Sequence, residues 1–452
     1  MKKEKQEKKQ EKKQLYKFQQ AALEKIKNFD NTLLAAEMGT GKTLMSIEQS
    51  ERYDNPVLVC LVLKSTVQQW LDELSSQTER KVFNGYKKTK SDGIDAFIAC
   101  SERKCIVIGY DAYKARCAKK LREYINANSN DVTMICDESS LIGNMKSQRT
   151  KSVLKSDTAH KIMLSGTPAT GGKMECLIPT MHLLGWPITK DEFLHDYCDV
   201  YEWTNPARPW VVIPIIQGYK NIDQLHKELE KHGTVFLTME EAGVELPEVT
   251  EQNIRQKRTM DYKKFMKNGI ITIGDEEIIG DNSLTKMMRA RQLCSIYNPE
   301  RVAAVEELLL QAGTEPVVIF YNWTAELDIL RVICERLKRP LSVVNGSGRD
   351  LSAYYAGTPG TVVCVQYRAG SMGLNLQNSR ICIFFSLCLS YSDYEQAKAR
   401  VHRIGQKKNC IFYTIICEDS VEEDILYTLA ERRDYSEQLF ARTYGEIGGV
   451  AA

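Results

Sequence analysis

Eight residues, Ala36 to Thr43, read AEMGTGKT and supply the parts needed to hold a nucleoside triphosphate. Gly39 and Gly41 admit backbone conformations closed to residues with a Cβ, so successive N–H groups, that of Thr40 included, can curl around phosphate oxygens. Lys42 is then placed to reach the β and γ phosphates. The Thr43 hydroxyl would ligate Mg²⁺ at the N-terminus of the following helix, whose dipole favours anions. Ala36 stands where the usual pattern has Gly, which leaves the cradle intact; a Gly-rich turn before a helix is the plainer reading of the same string. Asp137 and Glu138 follow the apolar run VTMIC. A carboxylate pair at a strand end suits a Mg²⁺–nucleotide site, Asp137 holding the metal and Glu138 orienting and deprotonating the attacking water. In QAKARVHRIGQ, Gln396, Arg400 and Arg403 fall at i, i+4 and i+7, one face of a helix. Two guanidiniums on one face call for an anion, and a γ-phosphate met by an arginine finger is a suitable one. A solvated basic helix is the alternative, and His402 reads as a packed or hydrogen-bonding residue.

The elements that must position these groups follow from apolar patterning. The segment LYKFQQAALEKIKNF has apolar residues at helical spacing just before the phosphate loop. Residues 57–63, 105–110, 132–136 and 162–164 are short Val/Ile-rich runs that predict strands buried on both faces. A second series occupies 317–320, 341–344, 361–365, 380–385 and 410–416, alternating with helical pattern such as TAELDILRVICERLK. This rhythm predicts an α/β protein with two parallel sheets, ligands lying at the carboxyl ends of the strands. SGTP, from Ser165, is placed there to bond the acidic loop and sense the γ-phosphate; as a bare string it is a turn. The division expected is a basic flexible tail over 1–14, an N-terminal ATP-binding lobe over 15–240 with a helical insertion from about 170, a helical linker over 241–300, and a C-terminal lobe over 301–452.

Composition sets limits. At 452 residues, 43% hydrophobic and 27% charged, the chain has ordinary globular character and room for more than one core. No apolar run reaches the roughly 18 residues a membrane span needs, and the first residues, MKKEKQEKKQEKKQ, lack the apolar stretch of a secretory signal. A cytoplasmic, intracellular protein is therefore expected. Fourteen cysteines lie scattered in apolar runs with no CxxC pair, which reads as reduced core thiols rather than disulfides or zinc ligands; His195 with Cys198 is the nearest approach to a metal pair. The tail carries seven Lys and three Glu, more positive than the net +2 of the whole chain, so the remainder is slightly acidic. Bulk charge does not advertise a nucleic-acid partner; local basic patches would have to serve.

With these residues in order, the chain resembles the helicases of superfamily two and, within them, the Swi/Snf-type DNA translocases. LYKFQ is similar to the adenine-recognition motif, which implies Gln19 as reader of the base. AEMGTGKT resembles the EMGxGKT loop, KSTVQQW (from Lys64) the first nucleic-acid motif, and VIGYD (from Val107) the second. Ile142, Asn144 and Ser147 fall at spacings the family uses after its acidic pair, SGTP at its coupling motif, and Glu175 where a glutamate follows it. VVIFYNW resembles the opening strand of the second lobe, RAGSMGLNL (Arg368 to Leu376) a motif touching DNA and nucleotide, and QAKARVHRIGQ the ending that sets this branch apart. Departures are DESS without the His of related boxes, Leu141 and Gly143 where basic residues are usual, Leu389-Ser390-Tyr391 for Trp-Asn-Pro, and Ser371 for a glycine.

The resemblance implies two tandem RecA-like P-loop lobes, ATP and Mg²⁺ as cofactors, and a DNA-stimulated ATPase that moves along double-stranded DNA with little sequence preference. It implies nucleotide contacts from Gln19, Gly39, Thr40, Gly41, Lys42, Thr43, Gly373 and Gln396, with Arg400 and Arg403 completing the site. Lys64, Ser65, Tyr110, Asn322, Trp323 and Arg368 would grip nucleic acid, and the run Lys114, Arg116, Lys119, Lys120, Arg122 would add phosphate contacts or form a solvated face. Without appended chromatin-reading modules the string looks like the compact form found in bacteria and phages. A strand-separating helicase, an RNA-acting enzyme and a non-hydrolysing DNA-binding protein are the other readings.

Overall fold

The computed structural model describes residues 12–85, 92–166, 172–205, 208–241, 243, 245–367 and 374–444. The chain forms two compact units, residues 1–245 and 246–452.

In the first unit, β1 (Asn31–Ala36), β2 (Val57–Val62), β3 (Lys81–Asn84), β4 (Lys104–Gly109), β5 (Val132–Cys136) and β6 (His160–Ser165) are joined, after the antiparallel hairpin β7 (Cys198–Asn205) and β8 (Arg208–Tyr219), by β9 (Thr234–Leu237). Seven of them make one sheet in the order β3-β4-β2-β5-β6-β1-β9. Every pairing in it is parallel, as apolar runs with no polar face require. Strand β2, VLVCLV, is buried throughout, and its period of two sends Val57, Val59 and Leu61 into one core and Leu58, Cys60 and Val62 into the other. The latter core is closed by Leu23 and Ile26 of the helix Lys17–Ile26, Met45 and Ile47 of Lys42–Arg52, and Trp70 and Leu74 of Val67–Gln77.

The second unit contains β10 (Val249–Gln256), the hairpin β11 (Ile270–Ile273) and β12 (Glu276–Ile279), then β13 (Val317–Tyr321), β14 (Leu341–Asn345), β15 (Gly348–Asp350), β16 (Val362–Gln366), β17 (Ile381–Phe384) and β18 (Cys410–Cys417). Its sheet runs β10-β18-β17-β13-β16-β14-β15, parallel except for β15 against β14. The fold class is therefore the expected one, α/β with two mostly parallel sheets.

Two expected boundaries differ. Residues 241–300 are not a helical linker: β10 pairs with β18 over eight residues and belongs to the second sheet. Its sequence, VTEQNIRQ, is polar because it is an edge strand with mostly exposed side chains, held by main-chain bonds rather than by an apolar face. The insertion from about 170 is likewise not all helix. Strands β7 and β8 pair as an antiparallel hairpin there, which leaves Tyr201, Trp203, Trp210, Val212, Ile213 and Ile215 exposed. No helix among the described residues is long and apolar enough to cross a membrane. All fourteen cysteines are free, eleven of them buried.

Candidate active site

The order of the first sheet sets the site. Strands β5, β6 and β1 are neighbours, so the loops leaving their carboxyl ends, Asp137-Glu138, Ser165-Gly166 and Glu37–Gly41, lie side by side. In the phosphate loop Gly39 and Gly41 adopt φ 89° and 84°, the left-handed region open to glycine. Thr40 closes the turn by donating from its hydroxyl to Glu37 O at 2.7 Å, and its side chain is fully buried, so it shapes the loop from within. Glu37 anchors the other flank, accepting from Met239 N at 2.8 Å. Helix Lys42–Arg52 begins at once, with no acidic residue in its first turn to compete for an anion; Thr43 is half-buried there. The Lys42 ammonium donates to Ala36 O at 2.6 Å and Glu37 O at 3.2 Å. A Cβ built on Gly166 would lie 3.3 Å from Lys42 Nζ, which brings the Ser165-Gly166 loop against the lysine; Thr167 and Pro168 lie outside the described residues.

Gln19 is buried against this loop. Its Nε2 donates to Thr40 O at 2.7 Å and its Oε1 accepts from Tyr16 N at 2.9 Å. One amide hydrogen and one lone pair remain, the donor–acceptor pair that an adenine edge takes. A Cβ on Gly41 would meet Gln19 Nε2 at 2.4 Å, so the loop fits only with glycine there.

Asp137 extends β5 and donates its N–H to Leu61 O of β2 at 2.9 Å. Its Oδ1 accepts from Glu138 N at 3.1 Å and its Oδ2 from the Trp70 indole at 2.8 Å. Glu138 sits at φ 49°, a strained conformation for a residue with a Cβ and one that recurs at functional sites. The residues therefore fit a metal–triphosphate: a cradle that only glycine permits, a lysine at its mouth, and a fixed carboxylate two strands away.

Several expected contacts need correction. Tyr110 is 3% exposed and its hydroxyl donates to Asp137 O at 2.7 Å. Burial, followed by the charges of Cys136, Asp137 and Glu138, pushes its phenol well above the ordinary value, so it stays a donor and has no surface with which to grip a strand. Asn322 spends its amide inside the second unit, donating to Ser386 Oγ at 2.8 Å and Leu387 O at 3.0 Å. Trp323 is half-buried with the Arg291 guanidinium 4.8 Å over its ring. Lys64, exposed, and Ser65, half-buried, sit on the turn after β2. Arg368 and Gly373 lie outside the described residues. The basic run is largely answered locally: Lys114 pairs with Asp111, Lys119 with Glu123 and Lys120 with Asp95, while Arg122 donates to Tyr113 O and Ala115 O. His195, the suspected partner of Cys198, is exposed and bonds Asp196 at 2.7 Å.

The shared helical face of Gln396, Arg400 and Arg403 is also incomplete. The helix Tyr391–Val401 carries the first two, half-buried, but ends before His402, whose ring nitrogen bonds Pro247 O at 2.8 Å. Arg403 lies in the following loop and donates to Asn375 Oδ1 at 2.6 Å and Leu374 O at 3.3 Å; burial lowers its pKa from an ordinary value far above neutrality. Gln406, last of the QAKARVHRIGQ string, is a cap: Nε2 donates to Ser379 O at 2.8 Å, and Oε1 accepts from Lys407 N and Lys408 N. Trp70, the last residue of KSTVQQW, was not among the expected site residues, yet its indole bonds the Asp137 carboxylate.

The family model of the SNF2-related domain matches residues 10–298, well over half of the chain. The chain belongs to the SNF2-related family. Residues 300–405 match the helicase conserved C-terminal domain, so the two together make an SNF2-type, helicase-like ATPase core. Among curated proteins the chain is similar to Chromodomain-helicase-DNA-binding protein 8 of Xenopus tropicalis, 25% identical over 88% of this chain and 20% of that one. It is also similar to the ISWI chromatin-remodeling complex ATPase ISW1 of Saccharomyces cerevisiae, 23% identical over 87% of this chain and 37% of that one. The chain thus spans between a fifth and somewhat over a third of these relatives. A solved Sulfolobus solfataricus SWI2/SNF2 ATPase core in complex with dsDNA has 19% identity and a TM-score of 0.42, covering 95% of this chain and 92% of that one. These relatives give no support to the expected bacterial or phage source.

Proposed function

We propose that this SNF2-related core hydrolyses ATP to move along duplex DNA. What carries the reading is the convergence of the glycine-containing phosphate loop and Lys42 after β1 with the braced Asp137-Glu138 pair after β5, the Ser165-Gly166 turn of β6 lying between them. Gln19 would read the adenine with the donor and acceptor its loop bonds leave over. Thr43 and Asp137 would hold Mg²⁺, which when bound neutralises and orients the phosphates. Lys42 draws the β and γ phosphates into the loop, and Glu138 takes the proton of the attacking water. Arg400 and Arg403 would supply positive charge to the γ-phosphate during turnover.

For DNA, Lys64 and Ser65 are the contacts this reading retains in the first unit; Arg368, expected from the sequence, lies outside the described residues. The names of the relatives, chromatin-remodeling complex ATPase and Chromodomain-helicase-DNA-binding protein, favour DNA over RNA. The test is the ATPase rate of the full chain with no nucleic acid, single-stranded DNA, duplex DNA and RNA in turn, paired with displacement of a strand from a tailed duplex. Duplex stimulation with little strand displacement is expected. Stimulation by RNA, efficient unwinding, or duplex binding without turnover would each replace this reading with one of its rivals.

A further inference from the structure

Two segments of the first unit end on the same residue. The turn Lys64–Thr66 leads directly into the helix Val67–Gln77, whose Trp70 donates its indole N–H to Asp137 Oδ2 at 2.8 Å. The short helix Tyr110–Lys114 begins with Tyr110, whose hydroxyl donates to Asp137 O at 2.7 Å. Both rings are buried, Trp70 to 1% exposure, while Lys64 and Asp111 on the same two segments are exposed. A buried indole must place its N–H somewhere, and an ionised carboxylate gives the stronger, charge-assisted bond. Packing alone would be served by Phe. Asp137 is thus held from two sides, at its carboxylate and at its carbonyl, by side chains whose backbones continue to the surface.

We propose that Trp70 and Tyr110 are positioning residues: both set the Asp137 carboxylate for the metal, and Trp70 relays to it the contacts that nucleic acid makes at residues 64–65. This rests on the assignment of Asp137 as metal holder. Binding of a phosphate backbone at the turn before Trp70 displaces the helix that carries the indole, and the carboxylate follows. Residues that orient a metal ligand typically contribute about 10–100-fold in metal affinity or activity.

The experiment compares the full chain, Trp70→Phe and Tyr110→Phe. Each is melted to check folding, titrated with Mn²⁺ in the presence of a non-hydrolysable ATP analogue by electron paramagnetic resonance, and assayed for ATP turnover with and without duplex DNA. Trp70→Phe is expected to lose about tenfold or more in Mn²⁺ affinity. Its kcat should fall with little change in KM for ATP, and its duplex stimulation should disappear. Tyr110→Phe, which deletes one hydroxyl, should shift the same readings less, and it carries the test should Trp70→Phe fail to fold. Folded variants that bind Mn²⁺ and respond to duplex as the unsubstituted chain does would overturn this inference alone. An unsubstituted chain that binds no Mn²⁺–nucleotide would overturn the reading of the site and this inference together.

Discussion

At the scale of single residues, the first unit places its charges where they can act, and the second buries several where they stabilise. Glu138 is held in a left-handed conformation directly after a carboxylate that is bonded on both oxygens. Replacing it by Gln keeps shape and removes the base. Glu138→Gln is expected to bind nucleotide normally and lose about 10²-fold or more in steady-state turnover; unchanged turnover would remove Glu138 from the role. Glu326 is a different kind of carboxylate, fully buried and accepting at Oε2 from Asn322 N, Trp323 N and Ser386 Oγ, with Arg291 as the nearby cation. Burial raises its pKa above the ordinary 4.5, against the pull of those hydrogen bonds. An acid whose folded pKa is raised favours the native state below its unfolded pKa and loses that contribution as pH rises through the folded one. Melting temperatures measured from pH 4 upward should therefore fall for the native chain relative to Glu326→Gln, which cannot titrate. Parallel curves would mean that Glu326 keeps its ordinary ionisation.

At the scale of elements, one buried ion pair ties four pieces of the second unit together. Arg301, on the helix Pro299–Gln311, bonds Glu422 on the helix Val421–Ala430 and the carbonyl of Phe385 just beyond β17. Glu422 Oε2 also accepts from Cys417 N at 2.9 Å at the end of β18. Both side chains are essentially inaccessible, so breaking the pair leaves a charge with no water to receive it. Glu422→Leu is expected to cost about 3–5 kcal/mol, while Arg301→Met combined with Glu422→Leu should cost clearly less than the single change. Denaturant melts of the three chains decide it, and additive losses would argue against an interdependent pair.

At the scale of the whole molecule, each unit completes its own sheet and cores without borrowing a strand, β9 closing the first sheet and β10 the second. Residues 1–245 produced alone are therefore expected to fold cooperatively and bind nucleotide but show no duplex-stimulated turnover, since Arg400 and Arg403 are missing. Circular dichroism melts and nucleotide binding on that fragment check it. A fragment that aggregates or melts without cooperativity would show that the unit depends on the remainder. Residues 246–452 should likewise melt as a unit.

How much of this was legible in the chain depends on whether a feature is local. The phosphate loop, the acidic pair and the central strands announce themselves because glycine freedom, a lysine at fixed spacing and runs such as VLVCLV act over a few residues. β10 was hidden because an edge strand is stabilised by main-chain bonds to β18, more than 150 residues later, and its polar side chains carry no period. Arg403 was misplaced because the helix stops at Val401, where His402 turns to bond Pro247. Tyr110 and Asn322, polar tips in motifs that resemble nucleic-acid contacts, point instead to backbone oxygens their own folds bring near. By itself the sequence determined which residue types could bind a triphosphate and that parallel sheets would carry them. Only the tertiary structure decided which donors those residues face, Trp70 against Asp137 above all, because a hydrogen bond across 67 positions exists only once β2 and β5 lie side by side.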